Sequence, residues 1–236
     1  MNLQQLHERL LSWATAEPRK DDLLAARREH FAAYGEPHEE DRSYEVRVNG
    51  MLDFYLYDWR PPEGAQRTIE RFIEAEGAGL EPDDLAAYRG LAGNVHGLFE
   101  VRKISDGKVR LRDLFTGGDH DVTERRAVLG LEKGDVLEAR LLPFGTYVFF
   151  SGAFLYHPRE ARKAILAEVK RLKKAAGKGN LPDVGSFLAL LSRMAFKMER
   201  YRNVRLESIY DFAGEAQRAA ITPRLTPPPG GGTPAD

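Results

Sequence analysis

The stretch "LFEVRKISDGKVRLRDLF", residues 98–115, decides the fold of the chain. Two runs of alternating apolar and charged residues, 98–104 and 108–115, flank the triplet Ser105-Asp106-Gly107. Asp-Gly is a strong signal for a hairpin turn, because both central positions of such a turn adopt positive φ angles. The stretch therefore predicts two antiparallel strands joined by a tight turn.

Three further runs follow this hairpin and extend the predicted sheet. They are HDVTERRAV (residues 120–128), DVLEARLL (135–142) and TYVFFSGAFLY (146–156), and Pro-Phe-Gly separates the last two. Five short strands at this spacing favour a small antiparallel barrel or a strongly curved sheet. On the last strand Tyr147 and Phe149 share one face and Val148 and Phe150 the other, and the alternation does not say which face is core.

The segment Gly117-Gly118-Asp119-His120-Asp121 has two interpretations, a metal site or a turn. On an extended strand Asp119 and Asp121 point away from the side that His120 faces, which is poor geometry for one metal ion. Paired glycines supply the backbone freedom that a chain reversal needs. We therefore interpret the segment as the turn into the third strand.

Helical patterns lie on both sides of this β module. Residues 1–95 predict a mainly helical N-terminal part, in which one helix begins at Asp21-Asp22 and reaches Tyr34. An aromatic cluster within it fits either a strand or a helix. Its members are Phe54, Tyr55, Tyr57 and Trp59.

The β module spans residues 96–156. The part of the chain that follows it is basic and has helical patterns. Residues 157–213 predict a helical hairpin, with one helix over about 159–178 and a second over about 183–202. The Pro/Gly-rich residues 222–236 predict a disordered tail. Together these patterns predict an α+β protein.

The net charge of −1 conceals a charge gradient along the chain. Residues 1–95 carry 11 basic and 19 acidic side chains, whereas residues 157–236 carry 15 basic and eight acidic ones. Either the two ends fold against each other, or the basic end meets an anionic partner. If the basic end meets an anionic partner, the candidate binding residues lie on the helix over 159–178. The alternative is that this basic helix face is only solvated. They are Arg162, Lys163, Lys170, Arg171, Lys173, Lys174 and Lys178.

Motifs of catalysis and cofactor binding are missing from the sequence. It has no phosphate-binding loop, no dinucleotide-binding glycine motif and no Gly-x-Ser-x-Gly elbow. The absence of cysteine excludes disulfides, thiolate metal sites and cysteine nucleophiles, and it agrees with a reducing compartment. We predict no catalytic residue, no metal and no cofactor, and a hydrolase would first be tested at His96, His120 and His157.

Location and partners follow from the same patterns. No apolar run approaches the roughly 18 residues that a membrane span needs, so we expect no membrane partner and a cytoplasmic protein. We expect a non-catalytic binding or regulatory protein that acts through protein–protein contacts. The alternative is a nucleic-acid-binding protein that uses the helix over 159–178, with Phe144, Tyr147 and Phe149 as stacking residues. The sequence makes no prediction about the oligomeric state.

Residues 44–160 resemble a poorly characterised family of bacterial cytoplasmic proteins that join a helical N-terminal part to a small β module. The resemblance is carried by Leu111-Arg112-Asp113-Leu114 with Thr116-Gly117, by Gly134-Asp135 and by Ser151-Gly152. Some members of that family end in a SEC-C zinc segment, which the absence of cysteine argues against here. The resemblance implies no particular activity.

A fainter resemblance is to PilZ modules, which bind cyclic dinucleotides. Residues 113–118 look like their Asp-x-Ser-x-x-Gly turn, with Phe115 in place of the serine. No Arg-x-x-x-Arg motif precedes the turn. This resemblance therefore implies at most the barrel shape and no ligand.

Overall fold

The computed structural model describes residues 1–62, 64–105, 107–123, 130–201 and 203–214. The tail over 222–236, Asp106 of the hairpin turn and residues 124–128 of the third predicted strand lie outside the described residues.

The N-terminal part is helical, as predicted. Its helices are α1 (Leu3–Thr15), α2 (Lys20–Tyr34), α3 (Tyr44–Tyr57), α4 (Thr68–Glu76) and α5 (Pro82–Ala92). The aromatic cluster belongs to α3 and the residues after it, so helix is the correct alternative. A helix that is buried on several sides carries apolar residues all round, which explains why its periodicity did not separate the two alternatives.

The β module is a single antiparallel sheet. Its strands are β1 (Val95–Ser105), β2 (Lys108–Asp113), β3 (Asp119–Thr123), β4 (Val136–Phe144) and β5 (Tyr147–Tyr156). The strand order is β3-β2-β1-β4-β5, so β3 and β5 are the edge strands and the sheet is not a closed barrel. The two edges nevertheless approach each other, with Cα atoms of β3 and β5 within 8 Å. The α+β class with five antiparallel strands is confirmed.

The sheet curls around a core of its own side chains. This sheet core contains Phe99, Val101, Val109, Leu111, Val122, Leu131, Leu137, Ala139, Leu141 and Phe150. Val148 also packs against it, whereas Tyr147 is 54% exposed, so the face with Val148 and Phe150 is the inner face of β5.

The other face of the sheet carries the helices. After β5 the chain forms α6 (Arg162–Ala176), α7 (Val184–Arg200) and the short α8 (Leu206–Ile209). Ile165, Val169 and Leu172 of α6 are buried in one cluster with residues of α7 and α8, and Leu166 is half-buried. The closest backbone neighbour of α7 in the helical part is α2, so a closely paired hairpin of α6 and α7 stays a prediction. Among the described residues no helix is both long and apolar enough to cross a membrane.

Side chains on the helix-facing side of β4 contribute to two separate hydrophobic cores. Val136 belongs to the C-terminal core of α6, α7 and α8, and Leu142 belongs to the N-terminal core of α1 to α5. The two residues between them on the same face are Glu138 and Arg140, and both are buried. A charged layer therefore separates the two cores, and it positions the site described below.

Candidate functional site

The Gly117-Gly118 segment is a turn, as predicted. The buried Asp113 carboxylate accepts hydrogen bonds from the backbone N–H groups of Phe115 (2.8 Å) and Thr116 (3.1 Å), which shapes the reversal between β2 and β3. Past the turn, Asp119 pairs with Arg112 (2.6 Å) and Asp121 with Arg110 (2.7 Å). These acidic side chains therefore belong to cross-strand ion pairs.

The three histidines at which a hydrolase would be tested, His96, His120 and His157, each contact a different residue. His120 packs edge-on against Phe99 at 5.6 Å, and His96 Nε2 lies 3.0 Å from Glu138 Oε1. His157 is buried, and its Nδ1 lies 3.2 Å from the Tyr210 hydroxyl. Within the described part of the chain, no group of three His, Cys, Asp or Glu residues has the geometry of a metal site.

The seven basic candidates divide into two groups. Arg162 pairs with the buried Glu100, Arg171 pairs with the buried Glu168 at 2.6 Å, and Lys173 donates to the Leu114 carbonyl at 3.2 Å. These three side chains serve the packing of α6 in the structure.

The other basic candidates face outward. Lys163, Lys170 and Lys174 are exposed, and their spacing of seven and four residues places them on one face of α6. Lys178 is exposed just beyond the end of the helix. Phe144 packs against the N-terminal core, whereas α6 packs into the C-terminal core.

The charge gradient is only partly neutralised inside the molecule. Arg200 on α7 pairs with Asp41 at 2.5 Å, and Glu199 accepts hydrogen bonds from the backbone N–H and the hydroxyl of Ser43 (2.9 and 2.6 Å). The acidic N-terminal part therefore meets α7, while the lysine face of α6 contributes none of these contacts.

The strongest candidate site is a cavity that sequence reasoning did not find. It has a volume of about 50 Å³, which is several times the space that one water molecule needs. It lies where the charged layer of β4 faces α2, α3 and α7. Its walls are formed by His30, Phe31, Tyr34, Gly35, Val46, Arg47, Gly50, Asp53, His96, Glu138, Arg140, Ala153, Phe154, Leu155 and Ser192.

Among the described residues, four buried polar atoms without a hydrogen-bond partner belong to residues that line this cavity. They are Glu138 Oε2, Asp53 Oδ2, Arg140 Nε and His30 Nδ1. Asp53 Oδ2 lies 4.0 Å from Arg140 Nε, which is close enough for charge attraction and too far for a hydrogen bond.

Burial sets the protonation of the cavity walls. It lowers the pKa of His30 to about 4, so this ring is neutral at pH 7 and stacks on Tyr34 at 4.4 Å. Burial also raises the pKa of Asp53, and the charge of Arg140 opposes that effect. Burial lowers the pKa of Arg47 to about 10, which leaves it charged at pH 7. A cleft with titratable groups shifted in this way is typical of functional sites.

The sequence does contain one signal for these residues. Asp53 stands in the apolar run MLDFYLY, and Glu138 and Arg140 stand in VLEARLL. A charged residue inside an otherwise apolar run is buried when the run is buried, and it then needs polar partners. That signal identifies three cavity residues, whereas nothing local indicates that His30 and Ser192 join them.

Comparison with known proteins gives the family of the chain. No curated protein and no solved structure matches it. One family model, described as a family of unknown function (DUF7986), matches residues 2–184. This span includes α1 to α6, the whole sheet and every cavity residue except Ser192. The chain therefore belongs to the family of unknown function DUF7986.

Proposed function

We propose that this chain is a non-catalytic binding protein that holds a small polar molecule in this half-open cavity. The single observation that carries the proposal is that four buried charged side chains line one cavity. They are Arg47, Asp53, Glu138 and Arg140. Polar groups that converge in a concave pocket fix the orientation of a small ligand. A protein partner, expected from the sequence, stays a prediction.

The cavity is built to hold a ligand in one orientation. Its polar groups are fixed from outside: Arg140 is held by the Asp58 carboxylate and the Asn94 side chain, and Arg47 donates to Ser192 Oγ at 2.6 Å. Donors and acceptors that are already positioned lose little freedom when a ligand binds. This preorganisation favours a binding site over a packing defect.

The rim between α3 and β5 provides the variant that tests this proposal. A Cβ atom at Gly50 would meet the Ala153 Cβ at 3.8 Å, and both residues line the cavity. Gly50→Leu therefore places a large side chain at the cavity, and Gly50→Ala is the matched control that adds only a methyl group.

The experiment is an NMR screen of compounds with up to six non-hydrogen atoms against the full chain. We expect at least one polar compound to bind the wild type and Gly50→Ala, and its affinity to fall at least tenfold in Gly50→Leu. A screen without a binder, or a binder that Gly50→Leu retains at full affinity, would overturn the proposal.

We also propose nucleic-acid binding by α6 as a second function. The observation that favours it is the exposed lysine face formed by Lys163, Lys170 and Lys174. Each phosphate that such a lysine neutralises releases counterions, so binding weakens as the salt concentration rises.

Fluorescence anisotropy with a labelled duplex at low and moderate salt tests the second function. Replacing all three lysines by glutamate should abolish binding, while the exposed lysines of the β module and its loops, Lys103, Lys108 and Lys133, provide the matched triple control. Equal binding by the two triple variants, or no binding by the wild type at low salt, would refute this function.

A further inference from the structure

An open cleft lies on the surface between the β2–β3 turn and the end of α6. Its volume is about 720 Å³, which is within the usual range of small-molecule sites. The turn contributes Phe115 and Thr116 to its walls. The end of α6 and the loop that follows it contribute, among others, Lys173, Lys174, Lys178 and Asn180. We call this space the lysine cleft.

The walls of the lysine cleft carry positive charge and no negative charge. Their charged side chains are Lys173, Lys174 and Lys178, and all three are exposed. Within the described part of the chain none of the three has an ion-pair partner, whereas Arg162 and Arg171 of the same helix pair with buried glutamates. Lys173 donates to one neutral acceptor, the Leu114 carbonyl, which leaves two of its three donor hydrogens free.

The acidic residues that flank these segments in the chain are engaged elsewhere. The buried Asp113 accepts hydrogen bonds from the backbone of the β2–β3 turn, and Asp119 pairs with Arg112 at 2.6 Å. Asp183 caps α7, where it accepts from the backbone N–H and the hydroxyl of Ser186 (3.0 and 2.6 Å). The positive charge of the cleft is therefore not neutralised by its neighbours in the sequence.

The end of α6 explains only part of this charge. Lysines in the last turn of a helix offset the negative end of the helix dipole, which equals roughly half an elementary charge. One lysine suffices for that purpose. The last carbonyl groups also have other partners: the Lys174 carbonyl accepts from the Gly177 N–H at 3.3 Å, and the Ala176 carbonyl accepts from the Asn180 side chain at 3.1 Å. The remaining lysines therefore leave an excess of positive charge at one concave surface.

We infer that the lysine cleft is a binding site for the phosphate group of an anionic ligand. Lysine ammonium groups bind phosphate as compact point charges. The Thr116 hydroxyl oxygen accepts from the Gly118 N–H at 3.2 Å, so its own hydrogen can be donated to a phosphate oxygen. The inference goes beyond both proposed functions, because it uses neither the cavity nor Lys163 and Lys170. The phosphate belongs either to a small phosphorylated molecule or to nucleic acid.

The probe is inorganic pyrophosphate, added to the isotope-labelled full chain at pH 7 and low ionic strength and followed by NMR. Backbone amide signals of Thr116, Gly179 and Asn180 should move, and the dissociation constant should rise with added salt. Shifts that are confined to other parts of the chain would overturn the inference.

A pair of double variants tests the assigned lysines. Lys173→Gln with Lys178→Gln removes two of the three charges, so the affinity for pyrophosphate should fall about tenfold or more. Lys108→Gln with Lys133→Gln removes the same charge from exposed positions outside the cleft, and this matched control should bind as the wild type does. The absence of binding by the wild type, wild-type affinity in the cleft variant, or an equal loss in the control would refute the inference.

A labelled duplex identifies the source of the phosphate. If the cleft variant loses both pyrophosphate and duplex binding, the cleft holds a phosphate of nucleic acid. If it loses pyrophosphate and keeps the duplex, the ligand is a small phosphorylated molecule. Either result supports the site, while nucleic-acid binding by the lysine face is decided separately by the Lys163, Lys170 and Lys174 triple variant.

Discussion

Acid stability provides the sharpest test of how the interior is built. His157 is buried, and within the described part of the chain the Tyr210 hydroxyl is the single hydrogen-bond partner of its ring nitrogens. Burial lowers the pKa of His157 from 6.5 to about 4. Between these two pH values its imidazole is protonated in the unfolded chain and neutral in the folded chain. Stability is therefore full above pH 6.5 and is lost as the pH falls towards 4.

The size of this effect follows from the shift. One pKa unit corresponds to about 1.4 kcal/mol, so His157 should cost about 3 kcal/mol of unfolding free energy between pH 6.5 and 4. His30 has a shift of similar size and should add a comparable loss, while the raised pKa of Asp53 acts in the opposite direction. Carboxylates such as Asp41, whose pKa is held at about 2 by the hydrogen bond from Arg200, lose their contribution only near and below pH 4.

The assay is urea unfolding, followed by the fluorescence of the two tryptophans, from pH 7 to pH 4.5. His157→Phe keeps a ring and removes one of the two buried imidazoles, so its loss of stability towards pH 4.5 should be about half that of the wild type, because His30 still titrates. His38→Gln, at an exposed position, is the control and should keep the wild-type slope. Parallel pH profiles for His157→Phe and the wild type would show that the buried imidazole is not the acid-sensitive group.

Three further predictions concern the cavity and the turn. Gly50→Ala should raise the unfolding free energy by about 1 kcal/mol in urea titrations, because Gly50 is inside a helix, has ordinary backbone angles and has space for a methyl group. Arg140→Met should lower it by about 3–5 kcal/mol, since Asp53 then stays buried without its counter-charge, and an unchanged melting temperature would contradict this. Asp113→Ala should lower the unfolding free energy by about 2 kcal/mol. It should also speed hydrogen exchange at the backbone N–H groups of Phe115 and Thr116, which donate to the Asp113 carboxylate.

The sequence predicted the elements of the fold better than the site. Short-range patterns sufficed for the hairpin around Gly107, for the turn at Gly117-Gly118 and for the helix α6, because each depends on residues close together in the chain. The aromatic cluster of α3 stayed ambiguous, since a helix buried on several sides loses its periodicity.

The cavity depends on long-range packing, which explains why the sequence did not predict it. His30 on α2, Glu138 on β4 and Ser192 on α7 come together only after three elements pack. Long-range packing also divides the basic candidates into two groups. The partners of Arg162 and Arg171 are glutamates that packing buries, and the sequence alone does not separate these arginines from the outward-facing lysines.

The curl of the sheet has a consequence for how the protein behaves beside other copies of itself. An open sheet normally offers two rows of unpaired backbone groups, and such rows recruit strands from neighbouring chains into aggregates. Here β3 and β5 turn towards each other, and β3 begins at Asp119 with Asp121 two residues on, both paired with arginines of β2. A second chain that tries to add a strand meets a narrow gap and charged side chains. The curvature that gives the sheet its own core thus also protects the folded protein against growth along its edges.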